Sequence, residues 1–372
     1  MPHTPEPDDE GLDPVPPPHL VFYVEQALLG ALLLDPHRVD EASGIGPDSF
    51  STAAHAAIYR AITSLPRPDV AEHAKNTRWL DRVLAAAREQ ARGLPPSYLH
   101  TLVQVCPWPR HAPAYARMVE AEHARRRLQA AAERLVHTVH DVSLTHPVQT
   151  VLTEADALTK VVDDIAHRFP PRAGALPRAN TSAPPATPNT VEAVEEEKIL
   201  LATATAYPSD IASVRWLLPD DLILPLHAGL WQCLTALDRR NEPVDPVTVL
   251  WEAQQRGLME DASDPGDVLR MLAEPAASVE HWGERALQRS LLATAEHTAR
   301  RIEAYAGDRA NTPFQLVVGA RRALADVTSV RVRWRHSTKA TPPLQRRLEA
   351  TTRARPPTTR APLADRSTRA TR

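Results

Sequence analysis

The chain has 372 residues, enough for two domains of ordinary size, and a formal net charge of −3 at pH 7. Hydrophobic residues make up 43% of it, and only two cysteines occur, far apart and in unrelated contexts. This excludes a disulfide framework and favours a reducing cytoplasm, with nucleoid association as an alternative. The acidic, proline-rich start is unlike a signal peptide, and no run of about 18 apolar residues predicts a membrane contact.

Proline-rich stretches divide the chain into segments. Residues 1–19 are predicted to be a disordered acidic tail, because they contain few large apolar groups. Residues 20–169 have helical periodicity, residues 170–190 have the composition of a linker, and residues 191–334 are helical again. Residues 335–372 lack apolar periodicity and are predicted to be a disordered basic tail. The predicted fold class is all-α, with two tandem helical domains, each a small helical bundle followed by a helical hairpin.

The two helical stretches are copies of one another. Residues 25–62 align with residues 197–234 without a gap, at a spacing of 172 residues. Conservative pairs such as Tyr59 and Trp231 fall at helical spacing on apolar faces, where substitution preserves bulk. The identical pairs are Glu25/Glu197, Leu28/Leu200, Leu29/Leu201, Pro36/Pro208, Pro47/Pro219, Asp48/Asp220, His55/His227 and Ala56/Ala228. We conclude that the fold is duplicated.

The sequence patterns of the two copies predict the same elements in the same order. An apolar helix, at 20–34 or 195–206, ends at a proline that cannot continue it. The start at Glu195 would place three glutamates where they favour the helix dipole. A Pro-Asp turn and a second helix follow, and copy two then has a helix from near Asp245 to Gly257. The last two helices predict an antiparallel hairpin, with ranges 111–141 and 146–167 in copy one and 278–306 and 313–329 in copy two.

The sequence contains no recognisable catalytic motif. Neither the phosphate-binding pattern G-x-x-x-x-G-K-[ST] nor the dinucleotide pattern G-x-G-x-x-G occurs. His55 and His227 occupy matched positions, and His137 and His140 share a helix face, but neither set has the further ligands that zinc requires. Helix packing or capping is the favoured interpretation of these histidines. We therefore predict no catalytic, cofactor-binding or metal-binding residues, no cofactor and no enzymatic activity.

Both copies resemble the N-terminal domain of the DnaB-type replicative DNA helicases. The family pattern E-x-x-x-L-G-x-L-L-x-D-P is matched at residues 25–36, and H-x-x-I-[FY]-x-A-I is matched at residues 55–62. The pattern P-V-D-x-x-T is present in copy two at residues 243–248. The family's hairpin signature is met by Tyr115, Ala116, Val119 and Leu128. Copy two departs from the pattern, because Ala202 replaces the family glycine that copy one keeps as Gly30.

This resemblance implies a role in DNA replication. The family's ATPase is a separate RecA-like domain, and a second N-terminal-type copy stands in its place here, so we expect no autonomous helicase. The family's hairpins pair protomers into a ring collar that receives primase. The resemblance implies a non-catalytic primosome protein that binds replicative helicase, primase or both, as a homo-oligomer or an internal pseudo-dimer. The candidate hairpin or partner-interface residues are Tyr115, Val119, Leu128, Leu135, Trp282, Leu287, Leu291 and Ile302, with packing inside each copy as the alternative.

The C-terminal segment is strongly basic. Residues 331–372 contain twelve basic and two acidic residues, a net charge of +10, so the rest of the chain carries −13. Such segregation is typical of an arm that contacts phosphates. The candidate nucleic-acid contacts are Arg331, Arg333, Trp334, Arg335, Arg346, Arg347, Arg353 and Arg355. Two alternative functions follow: a DNA-binding accessory protein that acts through this tail, and the non-ATPase part of a split replicative helicase.

Overall fold

The structure, a computed structural model, describes residues 19–42, 44–170, 176–178, 190–259 and 264–340. Every regular element in these ranges is a helix and none is a β-strand, which confirms the all-α prediction. No helix in the described ranges is long and apolar enough to cross a membrane. Residues 1–18 and 341–372 of the two predicted tails, and most of the predicted linker, lie outside the described residues.

Copy one forms seven α-helices. Its first helices are α1 (Leu20–Leu34) and α2 (Ala53–Ser64), joined by the 3₁₀ turns Pro36–Ala42 and Pro47–Ser49. The Thr52 side chain caps α2 by accepting a hydrogen bond from the His55 backbone N–H. The middle helices are α3 (Val70–His73), α4 (Arg78–Arg88) and α5 (Pro96–Val105), and the hairpin is α6 (Ala112–His140) and α7 (Pro147–Arg168).

Copy two repeats this order with a shorter middle. It begins with α8 (Val191–Ala206), the 3₁₀ turns Pro208–Val214 and Pro219–Asp221, and α9 (Pro225–Arg240). The middle helices are α10 (Pro246–Gln255) and α11 (Pro265–Leu272), and the hairpin helices are α12 (Val279–Gly307) and α13 (Pro313–Ala340). In both copies the helices follow one another in the predicted order, a small bundle and then a hairpin.

Local signals place most helix ends correctly. The Asp245 carboxylate accepts hydrogen bonds from the N–H groups of Val247 and Thr248, at 2.8 and 3.0 Å, and so caps α10. Gly257, just beyond that helix, has the positive φ of 71° that favours glycine. The predicted helix between Asp245 and Gly257 is therefore confirmed.

Two helix ends differ from the prediction. Helix α8 begins at Val191, capped by Thr190, and not at Glu195. The glutamates at 195–197 therefore lie in the helix interior, and the interpretation of them as an acidic helix start is wrong. Helix α13 continues to Ala340, beyond residue 329, so the described residues 335–340 of the predicted basic tail are helical.

The described residues group into two compact units. Unit 1 contains those before residue 186 together with residues 294–327, and unit 2 contains those of 186–293 together with 328–340. In unit 1, α1 packs against α2, α5 and α6 around buried side chains such as Leu28, Ile58 and Leu102. In unit 2, α8 packs against α9 and α11, and its core includes Leu200 and Trp231. These units and the sequence copies divide the chain differently, because half of the second hairpin lies in unit 1.

Both cysteines are free thiols, as the spacing predicts. Cys233 is buried in unit 2, and burial raises the pKa of its thiol to about 11. Cys106 is half-buried at the end of α5, and burial also raises the pKa of its thiol. Both thiols are therefore protonated and weakly nucleophilic at neutral pH.

Candidate protein-interaction site

Most of the predicted hairpin residues are buried. Two of them are half-buried. Tyr115 packs against the core of unit 1, and Trp282 donates its indole N–H to the carbonyl of Ala276 at 2.7 Å. The fully buried members, each at most 1% exposed, are Val119, Leu128, Leu135, Leu287, Leu291 and Ile302. These six side chains present no free surface, so a partner would have to contact other residues of the same helices.

The two hairpins meet within unit 1 through Arg125, a side chain of α6 that sequence reasoning missed. Its guanidinium donates hydrogen bonds to the carbonyls of Ala306, Asp308 and Asn311, at 2.7, 2.9 and 2.5 Å. These carbonyls lie at the end of α12 and in the turn that follows it. Carbonyls at a helix C-terminus have no helical partner and carry partial negative charge. Arg125 therefore gives these carbonyls a hydrogen-bond donor and offsets their partial negative charge.

The segment 176–178, inside the predicted linker, also contacts the second hairpin. The Asn311 side chain accepts a hydrogen bond from the backbone N–H of Arg178 at 2.8 Å, and Gln315 donates to the carbonyl of Leu176 at 2.7 Å. At Gly319 of α13 an added Cβ would overlap the ring of Pro177. Glycine at 319 is therefore needed for this close approach, and the described part of the linker is bound to the hairpin of copy two.

Further contacts between the hairpins lie nearer the surface. His140 Nε2 lies 2.9 Å from a carboxylate oxygen of Glu296. A guanidinium nitrogen of Arg321 lies 2.9 Å from a carboxylate oxygen of Asp163. The rings of Phe169 and Phe314 meet edge to face, with centroids 5.9 Å apart. Exposed ion pairs contribute little free energy, because water competes for both charges. The buried Arg125 cluster and the aromatic pair should therefore dominate the pairing of the hairpins.

A buried glutamate–histidine pair is repeated in both copies. His55 Nδ1 lies 2.6 Å from a Glu25 carboxylate oxygen, and His227 Nδ1 lies 2.8 Å from that of Glu197. Each carboxylate also accepts a backbone N–H from the segment before the next helix, Ser51 at 2.7 Å or Ile223 at 2.6 Å. The pair therefore ties the first helix of each copy to the second. All four residues belong to the identical pairs of the sequence alignment. That identity is the sequence signal from which the glutamate–histidine pair could have been predicted.

Each of these histidines has a carboxylate partner on the first helix of its own copy. In the described ranges no group of three or more His, Cys, Asp or Glu side chains is placed to hold an ion. In copy one the second ring nitrogen of His55 lies 2.7 Å from the hydroxyl of Tyr98. Both ring nitrogens therefore have protein partners, and the ring is fixed in orientation.

We expect His55→Ala to lower the free energy of unfolding of unit 1 by about 2 kcal/mol, because the Glu25 carboxylate and the Tyr98 hydroxyl each lose a buried partner. His137→Ala is the matched control, since His137 is exposed and should change stability by no more than about 0.5 kcal/mol. Urea unfolding followed by circular dichroism measures both. Equal stabilities of the two variants would contradict a structural role for the pair.

The predicted nucleic-acid contacts are only partly described. Arg333 lies on α13 in unit 2, where its guanidinium pairs with the buried carboxylate of Asp221 and donates to the carbonyl of Trp216 at 3.3 Å. Arg331 and Trp334 are half-buried, and Arg335 is exposed. The internal pairing of Arg333 leaves its charge poorly placed for a phosphate. The remaining candidates, Arg346, Arg347, Arg353 and Arg355, lie outside the described residues.

The comparisons with known proteins identify both copies. The sequence model described as "DnaB-like helicase N terminal domain" matches residues 17–121 and residues 189–286, which together make up more than half of the chain. The first match contains α1 to α5 and the start of α6, and the second contains α8 to α11 and the start of α12. No curated protein matches the chain. The chain therefore belongs to the DnaB-like helicase N-terminal domain family, and it carries that domain twice.

Proposed function

We propose that this chain is a non-catalytic interaction protein of DNA replication that binds a replicative helicase, a primase or both. Membership of a helicase-associated domain family supports a role in DNA replication. The observation that carries the proposal is the contact of the two hairpins inside unit 1, with Arg125 of one hairpin bound to the turn of the other. In this proposal the paired hairpins are the surface that a replication partner recognises.

Internal pairing suits an adaptor that works as a single chain. The resemblance to helicase collars implies that such hairpins normally pair between protomers, whereas here both belong to one polypeptide. The chain would then offer a paired-hairpin surface at any concentration, since one partner hairpin is always covalently present. A helicase or primase that recognises a paired collar would bind it as a substitute for two protomers.

The test is size-exclusion chromatography with light scattering on the full chain, alone and mixed with the host's replicative helicase or primase at moderate salt. We expect a complex with at least one of them. Met118 is a large apolar side chain exposed on α6, and Met118→Asp should weaken that complex roughly tenfold. Val70→Asp introduces the same charge at an exposed apolar residue of α3 and should leave the complex unchanged.

The outcomes separate the proposal from its alternatives. Elution of the components without any complex would contradict the proposal. Deletion of residues 341–372 should leave the complex intact if the hairpins form it. Loss of the complex and of DNA binding on that deletion would instead favour a DNA-binding accessory protein, because the deleted segment carries much of the positive charge of the C-terminal region.

A further inference from the structure

A groove of about 680 Å³ lies in unit 2, and its lining includes none of the residues that join the two hairpins. It runs between α9 and the segment that contains the two 3₁₀ turns of copy two. The buried side chains of Leu217 and Trp231 lie at its base. Leu218 lines the same groove and is 43% exposed, so part of the apolar lining is open to solvent. A groove of this size and character can accept one or two apolar side chains of a peptide.

The charged residues of the groove are mainly arginines. Arg215, Arg239 and Arg256 line it, and Asp238 is the one acidic residue among its described lining residues. Arg256 is already paired with Glu252, at 2.7 Å. Arg215 and Arg239 are exposed and form no ion pair with any described residue. The groove therefore presents two guanidinium groups whose donors are available to an anionic ligand.

The corresponding arginine of copy one has an acidic partner. At the same spacing of 172 residues, Arg67, which follows the end of α2, corresponds to Arg239 and is paired with Asp40 at 2.5 Å, while Ala212 stands at the position of Asp40. Gly46 similarly aligns with the exposed Leu218 of the groove. These exchanges do not make copy two more basic overall, because Gln232 replaces Arg60 and Asp238 replaces Pro66. The change from Asp40 to Ala212 leaves Arg239 without an acidic partner. The change from Gly46 to Leu218 adds an apolar side chain to the groove.

We propose that this groove binds an acidic peptide segment of a partner protein, with an apolar side chain against the exposed Leu218 and carboxylates on Arg215 and Arg239. Guanidinium groups bind carboxylates through paired hydrogen bonds, which gives both affinity and orientation. A single-stranded nucleic acid fits less well, because Trp231 is only 1% exposed and cannot stack on a base. The surface differs from the paired hairpins, so the inference stands or fails independently of the proposed function.

Fluorescence anisotropy on the full chain tests the inference. The probe is a labelled synthetic peptide in which aspartate alternates with leucine and phenylalanine. One comparison peptide has lysine in place of aspartate, and another probe is a labelled single-stranded oligonucleotide. We expect the acidic peptide alone to bind, and the double variant R215S/R239A to weaken it roughly tenfold. Leu218→Gly, which restores the residue of copy one, should weaken it as well.

The matched control removes two other exposed arginines. Arg78 and Arg92 lie in copy one and form no ion pair with any described residue, so R78A/R92A makes the same change in net charge. Peptide affinity should be unchanged in that control. No binding of the acidic peptide, equal weakening by both double variants, or preferential binding of the oligonucleotide through Arg215 and Arg239 would each overturn the proposal. Circular dichroism confirms that every variant is folded.

Discussion

Replacing Arg125 by alanine is expected to lower the free energy of unfolding of unit 1 by about 4 kcal/mol. The side chain is only 8% exposed, and it serves the carbonyls of Ala306, Asp308 and Asn311 at once. Alanine would remove this donor from the buried carbonyls of Ala306 and Asn311, whereas the Asp308 carbonyl keeps the backbone N–H of Asn311. Water would have to enter the contact between the hairpins. Urea unfolding of the full chain, followed by circular dichroism, measures the loss as a lower midpoint of the unit 1 transition.

Arg127 provides the control on the same helix. It forms a single ion pair with Asp164, at 2.9 Å, and is 38% exposed, so Arg127→Ala should cost at most about 1 kcal/mol. Arg125→Lys should fall between the two, because one ammonium group cannot reach three carbonyls as a planar guanidinium does. If Arg125→Ala unfolds like Arg127→Ala, the hairpins are held together by other contacts and Arg125 has no special part.

The same variant connects stability with the proposed function. Arg125 is buried and so cannot touch a partner protein directly, yet it joins the two hairpins that form the proposed binding surface. We therefore expect Arg125→Ala to weaken the complex with helicase or primase under conditions where the chain is still folded. A folded Arg125→Ala variant with unchanged partner binding would mean that the partner recognises one hairpin alone, or another surface.

The helices could be predicted because their signals are local. A proline or a capping side chain acts on the turn next to it, as Asp245 does on the start of α10, so the sequence alone carries that information. The start of α8 has a local signal as well, because Thr190, a capping residue five positions before Glu195, caps the helix at Val191. The predicted start at Glu195 rests on the glutamates and not on this cap.

The contacts between distant segments could not be predicted. The shortest separation in sequence between Arg125 and a carbonyl that it binds is 181 residues, and no local pattern distinguishes it from the neighbouring arginines. Charge counting along the C-terminal segment likewise could not reveal that Arg333 pairs with Asp221, 112 residues earlier. Apolar periodicity identifies which face of a helix is covered but not by what, so the sequence leaves open whether Leu128 and Leu135, both buried, pack in a hairpin interface or inside their own copy.

In both copies the first helix packs against the last of the middle helices, but only copy one has a glycine at the contact. In copy one α1 packs against α5, and an added Cβ on Gly30 would overlap the backbone carbonyl oxygen of Leu102 and lie 2.9 Å from the Cβ of Cys106. In copy two the first helix, α8, packs against α11, and the aligned residue Ala202 is fully buried. The methyl group is therefore accommodated at the corresponding helix contact of copy two.

Exchanging these two residues tests that interpretation. Gly30→Ala is expected to destabilise unit 1 by about 3 kcal/mol, because the helix backbones of α1 and α5 must separate to admit the methyl group. Ala202→Gly should cost unit 2 only about 1 kcal/mol, through lost helix propensity and a small loss of buried apolar surface. Urea unfolding of the two single variants measures both. If Gly30→Ala is neutral or stabilising, the close approach of α1 and α5 is not a requirement of the fold, and the glycine in the family pattern must be explained by something other than packing.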